Sequence, residues 1–106
     1  MWLRGEVKTP PLSAAARVEA GGLLRRLQGG ERLEMPHSRP MPSIGRRCHE
    51  LRIVDEGRNW CVIYRIDPDA IVIADVFAKT SRQTPVRTVA DCARRLVLYD
   101  QLARGD

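Results

Sequence analysis

CHELRIVDEGRNWCVIYRI, Cys48 to Ile66, is the stretch whose reading decides the fold. Its first arm, Cys48 to Val54, alternates, with Leu51 and Ile53 on one face of an extended chain and Glu50 and Arg52 on the other. Its second arm, Trp60 to Ile66, places Trp60, Val62, Tyr64 and Ile66 on one face and Cys61, Ile63 and Arg65 on the other. DEGRN between them carries turn residues. With Ile53 opposite Trp60, Arg52 faces Cys61, Glu50 faces Ile63 and Cys48 faces Arg65. Only that register makes the two apolar faces coincide, because a slip of one residue sends every side chain to the other side. The stretch therefore reads as an antiparallel hairpin.

Working downstream, DPD (Asp67 to Asp69) makes the next turn, and AIVIADVFA, Ala70 to Ala78, is apolar on both faces, as expected of a central strand. A two-residue turn would aim Asp75 into the core. A three-residue turn would set it beside Arg52 and Arg65, which is favoured because it avoids burying an unpaired carboxylate. Thr84 and Pro85 supply an N-cap and a first-turn proline. Val89, Cys92, Ala93 and Leu96 then form the apolar stripe of a helix running to about Leu102.

Upstream, MPHSRPMPSIGRR reads as a loop, since its prolines exclude helix and central strand. Ala16, Ala20, Leu23, Leu24 and Leu27 recur at helical spacing while Arg17, Glu19, Arg25 and Arg26 take the other side. A helix over Ala14 to Gln28 follows, capped by Ser13 and stopped by Gly29 and Gly30. Gly21 and Gly22 in its middle suggest a break into a helical hairpin or close packing against the sheet. WLRGEV, Trp2 to Val7, alternates weakly as an edge strand, ended by Pro10 and Pro11. The expected class is α+β: an antiparallel meander sheet with an N-terminal helix or helical hairpin and a C-terminal helix packed on one face. At 106 residues the chain suffices for one core, so residues 1–106 are expected to form a single domain.

Hydrophobic residues make up 43% and charged residues 29%, which excludes a wholly disordered chain. No apolar run approaches the roughly 20 residues that span a bilayer, and MWLRGEVKTPPL lacks the apolar block of a signal peptide. No membrane association and a cytoplasmic location are expected. A net charge of +5 and a pI near 9.7 favour phosphate-bearing or acidic partners. Apart from Lys8 and Lys79, every cation is an arginine, whose planar fork grips phosphate bidentately, although a high-GC coding bias produces the same excess. Cys48, Cys61 and Cys92 cannot all pair. With His49 they could ligate zinc on paper, but the spacing matches no usual finger, and small core hydrophobes are the better reading. No metal or cofactor is expected.

If both helices cover one face, the other stays open and carries Glu50, Arg52 and Arg65. PHSRPMPSIGRRCHELRI, followed by WCVIYRIDPDAIVIADVFAK and TPVRTVADCARRLVLYD, resembles the RelE/HigB-type toxins of toxin-antitoxin modules, in the phage-related branch of that superfamily. The resemblance extends back through RGEVKTPPLSAAARVEAGGLLRRLQ and rests on the order of these blocks rather than on one motif. It implies a type II toxin that enters the ribosome and cleaves mRNA without metal, held inactive by a cognate HigA-like, helix-turn-helix antitoxin. The positions it marks are Glu50 and Arg52, Cys61 and Arg65, and Lys79 and Arg82. Cys61 is a departure, since an arginine is expected there.

An RNA endonuclease must deprotonate the 2′-OH, stabilise added charge at phosphorus and protonate the departing 5′ oxygen. Arg52 and Arg65 suit the phosphorane charge, Arg82 and Lys79 close the site from the strand end, and Glu50 either accepts the 2′-OH proton or pairs with a cross-strand arginine. Arg39, Arg46, Arg47 and Arg87, with His37 in the proline-rich loop, are candidate RNA contacts. His49, Tyr64 and Trp60 read as core. Two further functions are compatible: a ParE-like toxin that binds DNA gyrase and needs no catalytic cluster, and a weakened, non-catalytic RNA-binding relative, for which Cys61 is the support.

Overall fold

In a computed structural model of the chain, the described residues are 13–31, 38–55, 57–68, 70–79 and 83–103, without the side chains of 16 and 17. The possible strand Trp2–Val7 and the candidates His37 and Arg82 therefore lie outside them, as do the side chains of the stripe residue Ala16 and of Arg17 opposite it. The elements are α1 (Ala14–Gln28), β1 (Ser38–Pro40), β2 (Cys48–Asp55), β3 (Arg58–Ile66), β4 (Ile71–Lys79) and α2 (Val86–Ala103). The strands form one antiparallel sheet in the order β1-β2-β3-β4. The α+β class and the meander are as expected from the sequence.

The hairpin register follows from its alternation: Ile53 pairs with Trp60, Arg52 with Cys61, Glu50 with Ile63 and Cys48 with Arg65. Pairing continues to Asp55 and Arg58, so the turn is shorter than DEGRN, with Gly57 at φ 78° where a side chain would be strained. The proline-rich stretch is not all loop. Ser38–Pro40 adds an edge strand to β2, a position that tolerates Pro40 because an edge strand can spare an N–H.

β4 differs from its expected central place. Among the described residues it ends the sheet, and its two-sided apolarity has another cause. Asp75 does lie on the face of Glu50 and Arg65, but through a four-residue connection, 67–70, and a bulge: Ile63 pairs with Asp75 and Tyr64 with Ile73, leaving Ala74 over. The extra residue reverses which side later side chains face.

The placement of both helices on one face is corrected. Ala20, Leu23 and Leu27 of α1 pack with Leu51, Ile53, Trp60, Val62, Tyr64, Ile71, Ile73 and Val76. Cys92 and Leu96 of α2 pack instead with Met41, Ile44, Cys48, Ile63, Val72 and Ala74, residues of the opposite face. The physical reason is that this face also carries large apolar side chains. Burying each Ile or Val is worth about 1.5–3 kcal/mol, so leaving Ile63 and Val72 bare would forfeit several kcal/mol.

α1 is one unbroken helix, not a hairpin. Its end is a Schellman turn, in which Gly30 at φ 88° donates to the Leu27 carbonyl and Glu31 donates to that of Arg26, each at 3.0 Å. Gly21 and Gly22 pack closely against nothing, since a Cβ at either would meet no atom within 4 Å. Gly21→Ala and Gly22→Ala should each raise stability by about 1 kcal/mol, read as a higher urea midpoint at unchanged m-value. Among the described residues no helix is long and apolar enough to cross a membrane.

Candidate functional site

Alternation along β2 points Glu50 to the α2 side of the sheet, where it is 2% exposed. A carboxylate buried that deeply must be paired. Lys79 at the end of β4 approaches both its oxygens, at 3.0 and 3.3 Å. Thr84, two residues before α2, donates its hydroxyl to Oε2 at 2.7 Å. Arg39 of β1 brings Nε to 3.3 Å from Oε1, without the alignment of a hydrogen bond. Four chain segments thus meet at one carboxylate. Burial alone would raise the Glu50 carboxyl, but Thr84, Lys79 and Arg39 together outweigh it and hold it below the ordinary carboxylate range.

Cys61 lies beside this cluster with no solvent exposure. Burial, reinforced by the neighbouring Glu50 charge, pushes its thiol up to about 12. It is an inert packing group rather than a nucleophile. Cys48 and Cys92 share the core beneath α2, whereas His49 turns to the other face and stacks on Tyr64 at 5.4 Å. The four paper ligands of zinc do not converge, and among the described residues no group of three or more His, Cys, Asp or Glu side chains could hold a metal.

Arg65 sits in a second, separate cluster. Its Nε and Nη2 donate to Asp67 at 2.7 and 2.8 Å, and its Nη1 and Nη2 donate to Asp100 of α2 at 3.0 and 2.7 Å. Those two carboxylates raise its pKa further. Its guanidinium also lies over the Tyr99 ring, 5.9 Å from the centroid. Arg65 clamps β3 and the following turn to α2. Arg47, at φ 63°, joins this cluster with Nη2 at 3.8 Å from Asp67.

The candidates therefore divide. Glu50, Lys79 and Arg39 come together. Arg52, two residues along β2 from Glu50, is exposed, as is Arg87 three residues after Thr84. Arg46 and Arg47 are exposed in the turn before β2, on the side of Arg65. Lys79 reaches the margin of the sheet as expected but is only 9% exposed. Thr84, Asp67 and Asp100 were not marked by the sequence as site residues. Thr84 carried the signal of an N-cap, and contacts across 34 and 35 residues leave no local trace.

Curated proteins and solved structures give no match to the chain. A family model does, that of the Phage derived protein Gp49-like (DUF891) family, over residues 10–97. The matched stretch takes in α1, the whole sheet and most of α2, and with them every residue of the Glu50 cluster. The chain belongs to the Gp49-like family, which is generally linked to RelE-like toxins.

Proposed function

We propose that the chain is the toxin of a type II toxin-antitoxin module and acts as a ribosome-dependent mRNA endonuclease, neutralised by a HigA-like antitoxin. The observation that carries this reading is the convergence of Arg39 and Lys79 on one locked carboxylate, with Arg52 exposed beside them. Two cations against one anion leave net positive charge at the margin of the sheet, and Arg52 and Arg87 extend it into solvent. A phosphate settling on Arg39 and Arg52 would meet preorganised charge, which is what an RNA phosphorane requires.

Within this reading Glu50 acts as the anchor of the cations rather than as the base. Its oxygens are occupied and its pKa is lowered, both of which weaken it as a proton acceptor. Arg65 serves the fold, its donors being committed to Asp67 and Asp100. Cys61 stands where the resemblance leads one to expect arginine, and Lys79 supplies the cation beside Glu50 instead.

Expressing the protein in cells and mapping mRNA 5′ ends tests the proposal. New ends within translated messages are expected for the wild type and not for Arg52→Ala/Arg87→Ala, whose exposed positions should leave folding within about 0.5 kcal/mol. Growth arrest with intact messages would sink it.

A second reading has its own support. Exposed Val97, Leu98 and Leu102 on α2 suit a protein partner, and a ParE-like toxin that binds gyrase needs no cation cluster. It predicts DNA damage with messages intact.

A further inference from the structure

Thr84 reads in the sequence as a helix cap, yet its hydroxyl proton goes to Glu50. A carboxylate at 2% exposure has no water to fall back on, so the donors around it fix its rotation. Thr84 holds Oε2 at 2.7 Å and Lys79 reaches both oxygens, at 3.0 Å to Oε1 and 3.3 Å to Oε2, which leaves Oε1 presented to Arg39 at 3.3 Å. A hydroxyl satisfies an oxygen without adding charge. Had a third cation taken its place, or had Oε2 turned outward, the balance and aim of Lys79 and Arg39 would differ.

We infer that Thr84 is a positioning residue, which acts through Glu50 to hold Arg39 toward the phosphate of a bound RNA strand, with Lys79 as the buried counter-charge of the carboxylate. The inference rests on the endonuclease reading for its last step, and on geometry alone for the control of Glu50. A purely structural Thr84, tying the start of α2 to the sheet, would affect stability and nothing else. The charged and titratable groups against Glu50 are Arg39 from β1, Cys61 from β3 and Lys79 from β4, while Asp75 is paired with Arg95 of α2. Replacing Thr84 leaves these side chains chemically unaltered, so a shift in Glu50 titration reports the loss of the hydroxyl and the change of aim that follows from it.

The full-length chain carrying ¹³C-labelled glutamate is titrated by NMR as wild type, Thr84→Ser and Thr84→Val, with Thr84→Ala as a second deletion of the hydroxyl should valine not fold. The same proteins are assayed for cleavage of ribosome-bound message. Loss of the hydroxyl should raise the Glu50 midpoint and lower kcat by about 10- to 100-fold, the equivalent of one hydrogen bond to a charged group. KM should change little, and Thr84→Ser should stay near wild type in both measurements. An unchanged Glu50 midpoint in Thr84→Val and Thr84→Ala, or a serine variant as impaired as valine, would overturn the inference. A shifted midpoint with no cleavage by any protein would uphold the control of Glu50 and reject the endonuclease reading.

Discussion

Arg65→Ala is expected to destabilise the fold by about 3 kcal/mol, read as a lower urea midpoint, and to abolish activity only because the chain unfolds. Breaking a buried ion pair by removing one partner costs about 3–5 kcal/mol. The lower end applies here because Asp100 keeps 43% of its side chain in solvent and can rehydrate, whereas Asp67 at 10% cannot. Arg65→Lys should not restore the loss, since one ammonium cannot reproduce four hydrogen bonds to two carboxylates. This outcome separates Arg65 from Arg52, which the sequence pairs as equivalent phosphate ligands. Arg52→Ala should leave the midpoint where it was.

Lys79→Met should cost as much or more, about 3–5 kcal/mol at neutral pH, because it leaves Glu50 buried with the neutral side chains of Thr84 and Cys61 and a misaligned Arg39. The double variant Glu50→Gln/Lys79→Met should recover part of that loss, since a buried neutral pair needs no counter-charge. The pH dependence has a definite sign. In the wild type the Glu50 carboxyl is held below its unfolded value, ordinarily about 4.3. Its contribution is therefore full above that value and is lost as pH falls through the folded one. Asp55, lowered by the hydroxyl and backbone N–H of Ser13, loses its contribution in the same direction. In Lys79→Met burial dominates and lifts the Glu50 carboxyl. The penalty of that variant should then be greatest at neutral pH and shrink in acid, as protonation relieves the stranded charge.

Local pattern made much of this fold legible. α1 runs from Ala14 to Gln28 because an apolar stripe and two glycines delimit it, although the Ser13 hydroxyl read as its cap donates to Asp55, and the Cys48–Ile66 register follows from the period of two. Asp75 reached the expected face by a bulge at Ala74 that no pattern announces. The error about the helices was avoidable in principle: Cys61 and Ile63 share a face with Arg65, and the Val89, Cys92, Leu96 stripe needed a surface to cover. Giving that stripe the same face as α1 left the other side open on paper. Ser38–Pro40 was hidden by proline, which marks loops and sheet edges alike.

The site was legible as a set of residue types and not as a set of contacts. Glu50 and Lys79 lie 29 positions apart, and whether a carboxylate on an arginine-rich face is free or locked depends on which cation reaches it. Lys79 does, and Arg65 turns to Asp67 and Asp100 instead. One candidate cation thereby becomes part of the scaffold, while Arg39 moves from the periphery to the centre.

Purified protein incubated with ribosomes stalled on a defined message, followed by mapping of the message ends, tests the central claim most directly. Cleavage at the ribosome-bound codon is expected for the wild type, none without ribosomes, and at least a tenfold loss for Arg39→Ala/Arg52→Ala at an unchanged cleavage position. An intact message under the same conditions, from wild-type protein shown to be folded, would contradict it.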